Sequence, residues 1–134
     1  MPVETKSLVV KSKPDLDIIN ITEQVSEIVK KSNIKEGIVT LFVKGSTASV
    51  STIEFEPNLV RDMKEAMERL VPSDIRYHHH DNGKSHVRAT LMGPGISVPF
   101  KDKKLLLGQW QQVVLMDFDV PARDREIILQ IIGD

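Results

Sequence analysis

Short segments rich in valine, isoleucine, leucine and threonine recur along the whole chain and point to a fold built largely from β-strands. Short apolar or alternating runs bounded by turn residues are typical of strands. The last two of these runs are separated only by a short segment containing Pro121 and Ala122, so we expect them to form a terminal hairpin. The pattern predicts strands at 3–11, 37–43, 46–54, 95–100, 104–107, 109–118 and 125–132.

Only two segments show clear helical periodicity. In 22–32, apolar residues recur on one face and Thr22 fits the N-cap position. A second helix is predicted to begin at Pro57, which suits the first helical position, and to end before Pro72. Two helices among many sequential strands predict one α+β domain, residues 1–134, with packed antiparallel β-sheets and two main helices.

The composition excludes several classes of protein. A net charge of −1 gives no basic excess for nucleic acid, and the absence of cysteine excludes thiolate metal sites and cysteine nucleophiles. No apolar stretch approaches the roughly 20 residues needed to span a bilayer, and the first residues do not form a secretory signal. We therefore expect a cytoplasmic protein with no nucleic-acid or membrane partner.

The four histidines of the chain all lie between Tyr77 and Arg88, in a polar segment that predicts a loop over 73–86. Residues 87–92 fit a short helix or a strand. Imidazole is a common metal ligand and a proton-transfer group near neutral pH. Two histidines, one carboxylate and water form a known catalytic zinc set, for which Glu54 is a candidate carboxylate. The histidine spacing matches no standard metal signature, so a solvated loop is the competing interpretation.

Three further clusters carry candidate functional groups. Small hydroxyl residues follow Gly45, beginning with Ser46 and Thr47. They are candidates for binding an anion such as phosphate. The alternative is that they only form the start of a strand. Trp110, the only tryptophan, is a candidate for stacking on a planar ligand or for anchoring a core. The third cluster consists of arginines: Arg88, Arg123 and Arg125. Their guanidinium groups suit phosphate, although an arginine in a turn can also be simply solvated.

Several short segments occur in a characteristic order between about Gly37 and Gly133: STASVSTIE, YHH, SHVRATLMG, LLLGQWQQVVLMDFD and a final arginine-containing turn with its strand. In this order they resemble the YjbQ-like family, also named the secondary thiamin-phosphate synthase family. The resemblance implies an α+β domain that assembles as a homotrimer, with a polar pocket between subunits that binds a divalent metal, zinc in the first instance, and an anion.

The resemblance also implies particular site residues. His79 matches the histidine of the family's Tyr-x-His element, His86 that of a second element, and Glu54 the acidic residue after the Ser/Thr-rich strand. These three are the expected catalytic and metal-binding residues. Gly45 stands where many relatives have a histidine, so His78 or His80 is a candidate replacement. Ser46, Thr47, Arg88 and Trp110 are the expected substrate-binding residues.

The family name implies a transferase that joins hydroxymethylpyrimidine diphosphate to thiazole phosphate and releases pyrophosphate. The residues themselves support three hypotheses. The first is a metal-assisted enzyme acting on a phosphorylated small molecule. The second is a non-catalytic protein that binds a metal or a phosphorylated metabolite, and the third is a structural or interaction protein whose histidines point separately into solvent.

Overall fold

The computed structural model describes all residues, 1–134, and contains eight strands and three helices. The strands are β1 (Val3–Lys11), β2 (Asp17–Asn20), β3 (Gly37–Val43), β4 (Ala48–Ile53), β5 (Gly95–Lys101), β6 (Lys104–Leu105), β7 (Gln112–Asp117) and β8 (Asp124–Gly133). The helices are α1 (Thr22–Lys31), α2 (Pro57–Leu70) and α3 (Gly83–Met92). None of them combines the length and apolar character that crossing a bilayer requires.

The strands form two fully antiparallel sheets. One has five strands in the order β1-β8-β3-β5-β6, and the other has three in the order β2-β7-β4. The larger hydrophobic cluster lies between the sheets and includes Val25 and Val29 of α1. A smaller cluster, with Met67 of α2 and Ala89 of α3, covers the other face of the three-stranded sheet. This architecture confirms the predicted α+β fold with packed antiparallel sheets.

The outer face of the five-stranded sheet carries no helix. Cross-strand register places its outward side chains in rows that continue from β1 through β8 and β3 to β5. Phe42 is 50% exposed and Ile38 45% exposed on this face. The uncharged sheet face, as we call it, consists of Val3, Ile132, Ile38, Pro99, Thr5, Gln130, Thr40, Ser97, Ser7, Ile128, Phe42 and Gly95.

Several predicted elements require correction. The predicted terminal hairpin is wrong, because β7 lies in the three-stranded sheet and β8 in the five-stranded one. The segment between them crosses from one sheet to the other, and the Phe118 amide donates to the Thr47 carbonyl at 2.9 Å. The chain also changes sheets between β3 and β4. Strand β2 was not predicted, since its four residues are too short to show a pattern.

The histidine segment is only partly a loop. Helix α3 begins at Gly83, so His86 lies on a helix, and the open choice for residues 87–92 is settled as helix. Thr22 is the first residue of α1, and Ile21 occupies the N-cap position instead. The Thr22 hydroxyl accepts the Val113 amide at 2.8 Å, which ties α1 to the three-stranded sheet.

Candidate functional site

His79 and His86 form the central pair of the candidate site. Their ring centroids are 5.0 Å apart and the rings are nearly perpendicular, in an edge-to-face arrangement. His79 is exposed in the loop before α3 and His86 is half-buried on its second turn. Exposed His78 and His80 flank His79, and His80 lines a separate polar depression with Arg76 and Lys84. The structure therefore brings together the two histidines that the family resemblance selects.

Gly83 allows the histidine loop to fold back onto the start of α3. A Cβ at this position would lie 2.7 Å from the Tyr77 Cβ and 3.4 Å from the His79 Cβ. The Tyr77 hydroxyl donates to the Pro72 carbonyl at 2.6 Å and fixes the other end of the loop. The approach of His79 to His86 thus depends on a glycine at the helix start, where any other residue would displace the loop.

A buried polar network holds the beginning of α3 against the sheet crossing. Asp119 accepts hydrogen bonds from Asn82 at 3.2 Å, from Arg123 at 2.6 Å and from the Thr47 hydroxyl at 3.2 Å. Burial would raise the pKa of Asp119, but the hydrogen bonds from Asn82 and Arg123 outweigh it and lower the pKa to about 2. The carboxylate is therefore ionised and positions the N-cap residue of the histidine helix.

Arg125 belongs to the same network. Its guanidinium binds both carboxylate oxygens of Asp117 at 2.8 Å and donates to the Thr47 hydroxyl at 2.6 Å. Burial works to raise the pKa of Asp117, while the Arg125 hydrogen bonds lead the interactions that lower it overall. A Cβ on Gly45 would meet the Arg125 Nη1 at 2.8 Å. Both arginines of the final turn are thus committed to carboxylates.

The predicted substrate-binding residues lie in three different environments. Thr47 is buried and its hydroxyl is already engaged on both sides, whereas Ser46 is exposed in a depression shared with Ala89 and Thr90 of α3. Arg88 is buried, and its guanidinium donates to the Val71 carbonyl at 2.7 Å and 3.2 Å and to Glu68 at 3.0 Å. In this geometry Arg88 caps the end of α2.

Glu54 and Trp110 lie together in a depression of about 430 Å³. Glu54 follows the end of β4. Helix α3 packs against the same strand, but its start lies at the opposite end. There, the N-cap residue Asn82 is joined through Asp119 to Thr47, which immediately precedes β4. Seven residues of extended chain separate Thr47 from Glu54, which corresponds to about 20 Å. Nowhere in the chain do three or more His, Asp or Glu side chains form a group able to hold a metal ion. Within one chain, Glu54 does not join His79 and His86.

Sequence reasoning missed the acidic half of the buried network, Asp117 and Asp119. A signal was present, because these two acids lie at and just after the end of β7 and Arg123 and Arg125 lie around the start of β8 at the same spacing. It also missed Asn82, whose role depends on the beginning of helix α3, because residues 73–86 were predicted to be a loop and a helix was left open only for 87–92.

The fold and the paired histidines define a class of small α+β proteins with two antiparallel sheets and a histidine-bearing third helix. Residues 6–134 match the model of the family described as UPF0047 protein YjbQ-like. The chain belongs to this family, which confirms the resemblance.

Relatives and solved structures agree with this assignment. A UPF0047 protein of Methanothermobacter thermautotrophicus is 33% identical over 99% of this chain and 94% of its own length. One of Archaeoglobus fulgidus is 35% identical over 90% of this chain and 96% of its own. The crystal structure of a YbjQ-like protein of unknown function from Sulfolobus solfataricus P2 superimposes with a TM-score of 0.95, at 32% identity and 99% coverage of both chains.

Proposed function

We propose that this protein is an enzyme that acts on a phosphorylated small molecule, with His79 and His86 as its catalytic pair. The observation that carries the proposal is their edge-to-face contact, 5.0 Å between ring centroids, with His79 in the loop before α3 and His86 on the helix. Two such imidazoles provide a donor for a phosphate oxygen and a group that gives or takes a proton. The exposed Ser46 hydroxyl, beside α3, is an additional donor for the anion.

The residues around the pair have supporting roles. Asn82, Asp119 and Thr47 form a hydrogen-bonded chain that keeps α3 in place during the reaction. Arg88 acts through packing, because phosphate binding by its guanidinium would require release of the Val71 carbonyl. Charge on a departing diphosphate would then be stabilised by an imidazolium from His79 or His86.

The predicted zinc set fits this chain only in part. Catalytic zinc generally has three protein ligands, and one chain brings only His79 and His86 together. A set that includes Glu54 would need that carboxylate from a second subunit. No step of the proposed mechanism is therefore assigned to a metal.

The homotrimer is part of the same proposal. The uncharged sheet face has no covering helix, and its charged neighbours Glu126 and Lys101 lie at its margins, which suits contact with further copies of the chain through its middle rows. Glu54 and Trp110 on one side, and His79 and His86 on the other, are exposed or half-buried and thus accessible to a neighbouring subunit. Assembly would allow the two halves of the site to come from different subunits.

The named reaction to test is the thiamin-phosphate synthase type. The purified protein is incubated with hydroxymethylpyrimidine diphosphate and thiazole phosphate, with added zinc and separately with a chelator, and thiamin phosphate is measured by chromatography. We expect product formation that falls at least about 100-fold in His79→Ala and in His86→Ala, since general acid–base groups contribute on this scale. Lys30→Ala, at an exposed position of α1, is the control. No product under any condition would rule out this reaction.

A non-catalytic binding protein is the second candidate. The observation that favours it is the exposed, shallow character of the Ser46 depression, which gives a ligand little shielding from water. It predicts that calorimetry with inorganic phosphate or pyrophosphate detects binding that depends on His79 and His86, whereas incubation with the phosphorylated precursors yields no turnover.

A further inference from the structure

The depression that contains Glu54 and Trp110 is unusual in its exposed aromatic surface. Trp110 is 66% exposed and Phe55 is 43% exposed, and both line a volume of about 430 Å³. Large aromatic side chains generally bury most of their area. Two of them beside one polar depression offer exposed aromatic surface to a ligand.

The charge of this depression has a single sign. Glu54 and Glu56 are its only ionisable residues, and the remaining polar groups are the neutral side chains of Asn20, Gln109 and Gln112. The Glu56 carboxylate accepts the backbone amides of Asn58 and Leu59 at 3.0 Å and 2.8 Å, and these bonds lower its pKa. The depression thus carries a fixed negative charge and no lysine, arginine or histidine to receive a phosphate.

The two turns that present these groups are held by hydrogen bonds. In one turn, the Gln111 side chain accepts the Gly108 amide at 3.0 Å and donates to the Thr52 hydroxyl at 3.0 Å, which anchors the Trp110 turn to β4. In the other, the Glu56 amide donates to the Glu54 carbonyl at 2.9 Å. The aromatic rings and the carboxylates are therefore presented from ordered backbone.

We propose that this depression binds an organic cation with a planar or apolar body, such as an N-alkylated or N-protonated heteroaromatic ring. The ring faces of Trp110 and Phe55 attract a cation through their quadrupoles, and Glu54 and Glu56 add a favourable field. A phosphate group is excluded here by the same carboxylates. The ligand's anionic part, if it has one, has to lie outside this depression.

This inference rests on the proposed function only in assigning the cation to the same reaction. It divides the expected substrate-binding residues into two groups of different chemistry. Ser46 and the histidine pair would meet the phosphorylated part, and Trp110 would meet the cationic part. The binding itself can be measured without any turnover.

Three probes that share a pyridine ring test the proposal: 1-methylnicotinamide, which is a pyridinium cation, nicotinamide, which is neutral, and nicotinate, which is an anion. Binding is followed by calorimetry and by the indole N–H resonance of the only tryptophan. We expect the cation to bind at least about tenfold more tightly than the neutral probe and the anion to bind weakest. Glu54→Gln should weaken the cation several-fold and leave the neutral probe unchanged, and Trp110→Leu should weaken both.

Glu27→Gln, on the exposed face of α1, is the matched control and should bind the cation like the unmodified chain. Equal affinity for cation and neutral probe, or tighter binding of nicotinate, would overturn the proposal. So would a Glu54→Gln variant with undiminished cation affinity. Cation binding by a protein that fails the transfer assay supports this inference while removing the proposed reaction, so the two failures are distinguishable.

Discussion

Arg88 is a buried arginine whose guanidinium caps the C-terminal end of helix α2. It donates twice to the Val71 carbonyl and once to Glu68, and its exposed fraction is 1%. Glu68 itself accepts the Ser73 amide and hydroxyl, and the amide bond leads the interactions that lower its pKa to about 2. One buried cation thus joins α3 to the end of α2.

Replacing this side chain tests its structural role. Arg88→Met keeps the apolar stem but leaves the Val71 carbonyl without its donors, which should lower the free energy of unfolding by about 2–3 kcal/mol. Urea titration measures the change, with Arg69→Met on exposed α2 surface as the control. A variant of normal stability that had lost phosphate affinity would instead make Arg88 a ligand group.

Asp119 gives a pH-dependent prediction. Its pKa lies at about 2 in the folded protein, below the ordinary value of 3.8, so the folded state favours the ionised form. The resulting stabilisation, about 2 kcal/mol, is complete above pH 4 and is lost as the pH falls from about 4 to about 2. Asp119→Asn should remove it at neutral pH and make this acid limb shallower, while Glu68 and Asp117, whose pKa values are also lowered, contribute the remainder.

Denaturant titrations at pH 7, 4 and 3 provide the measurement for Asp119. Asp124→Asn, an exposed acid at the start of β8, is the control and should keep the acid limb. An Asp119→Asn protein with the same acid dependence as the unmodified chain would show that another group carries it.

Among the elements, α3 shows why the sequence predicted the site only in part. Its inward face carries Ser85 and Arg88 beside Ala89, so the buried side is polar and the apolar periodicity that signals a helix is absent. Leu91 is exposed on the other side. Strand β3 and helix α1, by contrast, bury aliphatic side chains at regular spacing and were predicted nearly to the residue.

The prediction of a terminal hairpin was wrong for a different reason. Sequence proximity favours pairing of β7 with β8, but β8 instead pairs along its length with β1 on one side and β3 on the other. The spacing of nearby residues does not indicate which strands from distant parts of the sequence will pair with β8. The Asp117–Arg125 ion pair spans the resulting crossing, and the matched spacing of two acids and two arginines is its signal in the sequence.

Strand pairing at Gly95 allows a test at the level of elements. A Cβ there would lie 2.0 Å from the Leu41 carbonyl oxygen, which is backbone and cannot rotate away. Gly95→Ala should therefore separate β5 from β3 locally and lower the free energy of unfolding by about 1–3 kcal/mol. In the matched control, Gly108→Ala, the new methyl group meets only the Gln111 side chain at 3.6 Å, and thermal unfolding should be nearly unchanged.

For the whole molecule, the two sheets have different surroundings. The three-stranded sheet is covered on both faces, by the main core and by the cluster that includes α2 and α3. The five-stranded sheet is covered on one face only, and its other face carries an apolar row, a row of hydroxyl and amide side chains and a mixed row that ends beside Glu126. Family membership could be predicted from the order of the sequence motifs, because that order does not depend on three-dimensional structure. The separation of Glu54 from His79 could be seen only in the folded chain.

The uncharged sheet face gives the last prediction. If it joins copies of the chain, Phe42→Glu places a charge in an apolar contact near the end of β3 and should convert the proposed trimer, about three times 15.1 kDa, to a monomer. Light scattering coupled to size-exclusion chromatography measures the mass. Leu70→Glu, which is 70% exposed at the end of α2, is the control and should leave the mass unchanged. A Phe42→Glu protein that stayed trimeric would move the interface elsewhere. Loss of thiamin-phosphate synthesis in the monomer, with its far-ultraviolet circular dichroism intact, would support a site shared between subunits.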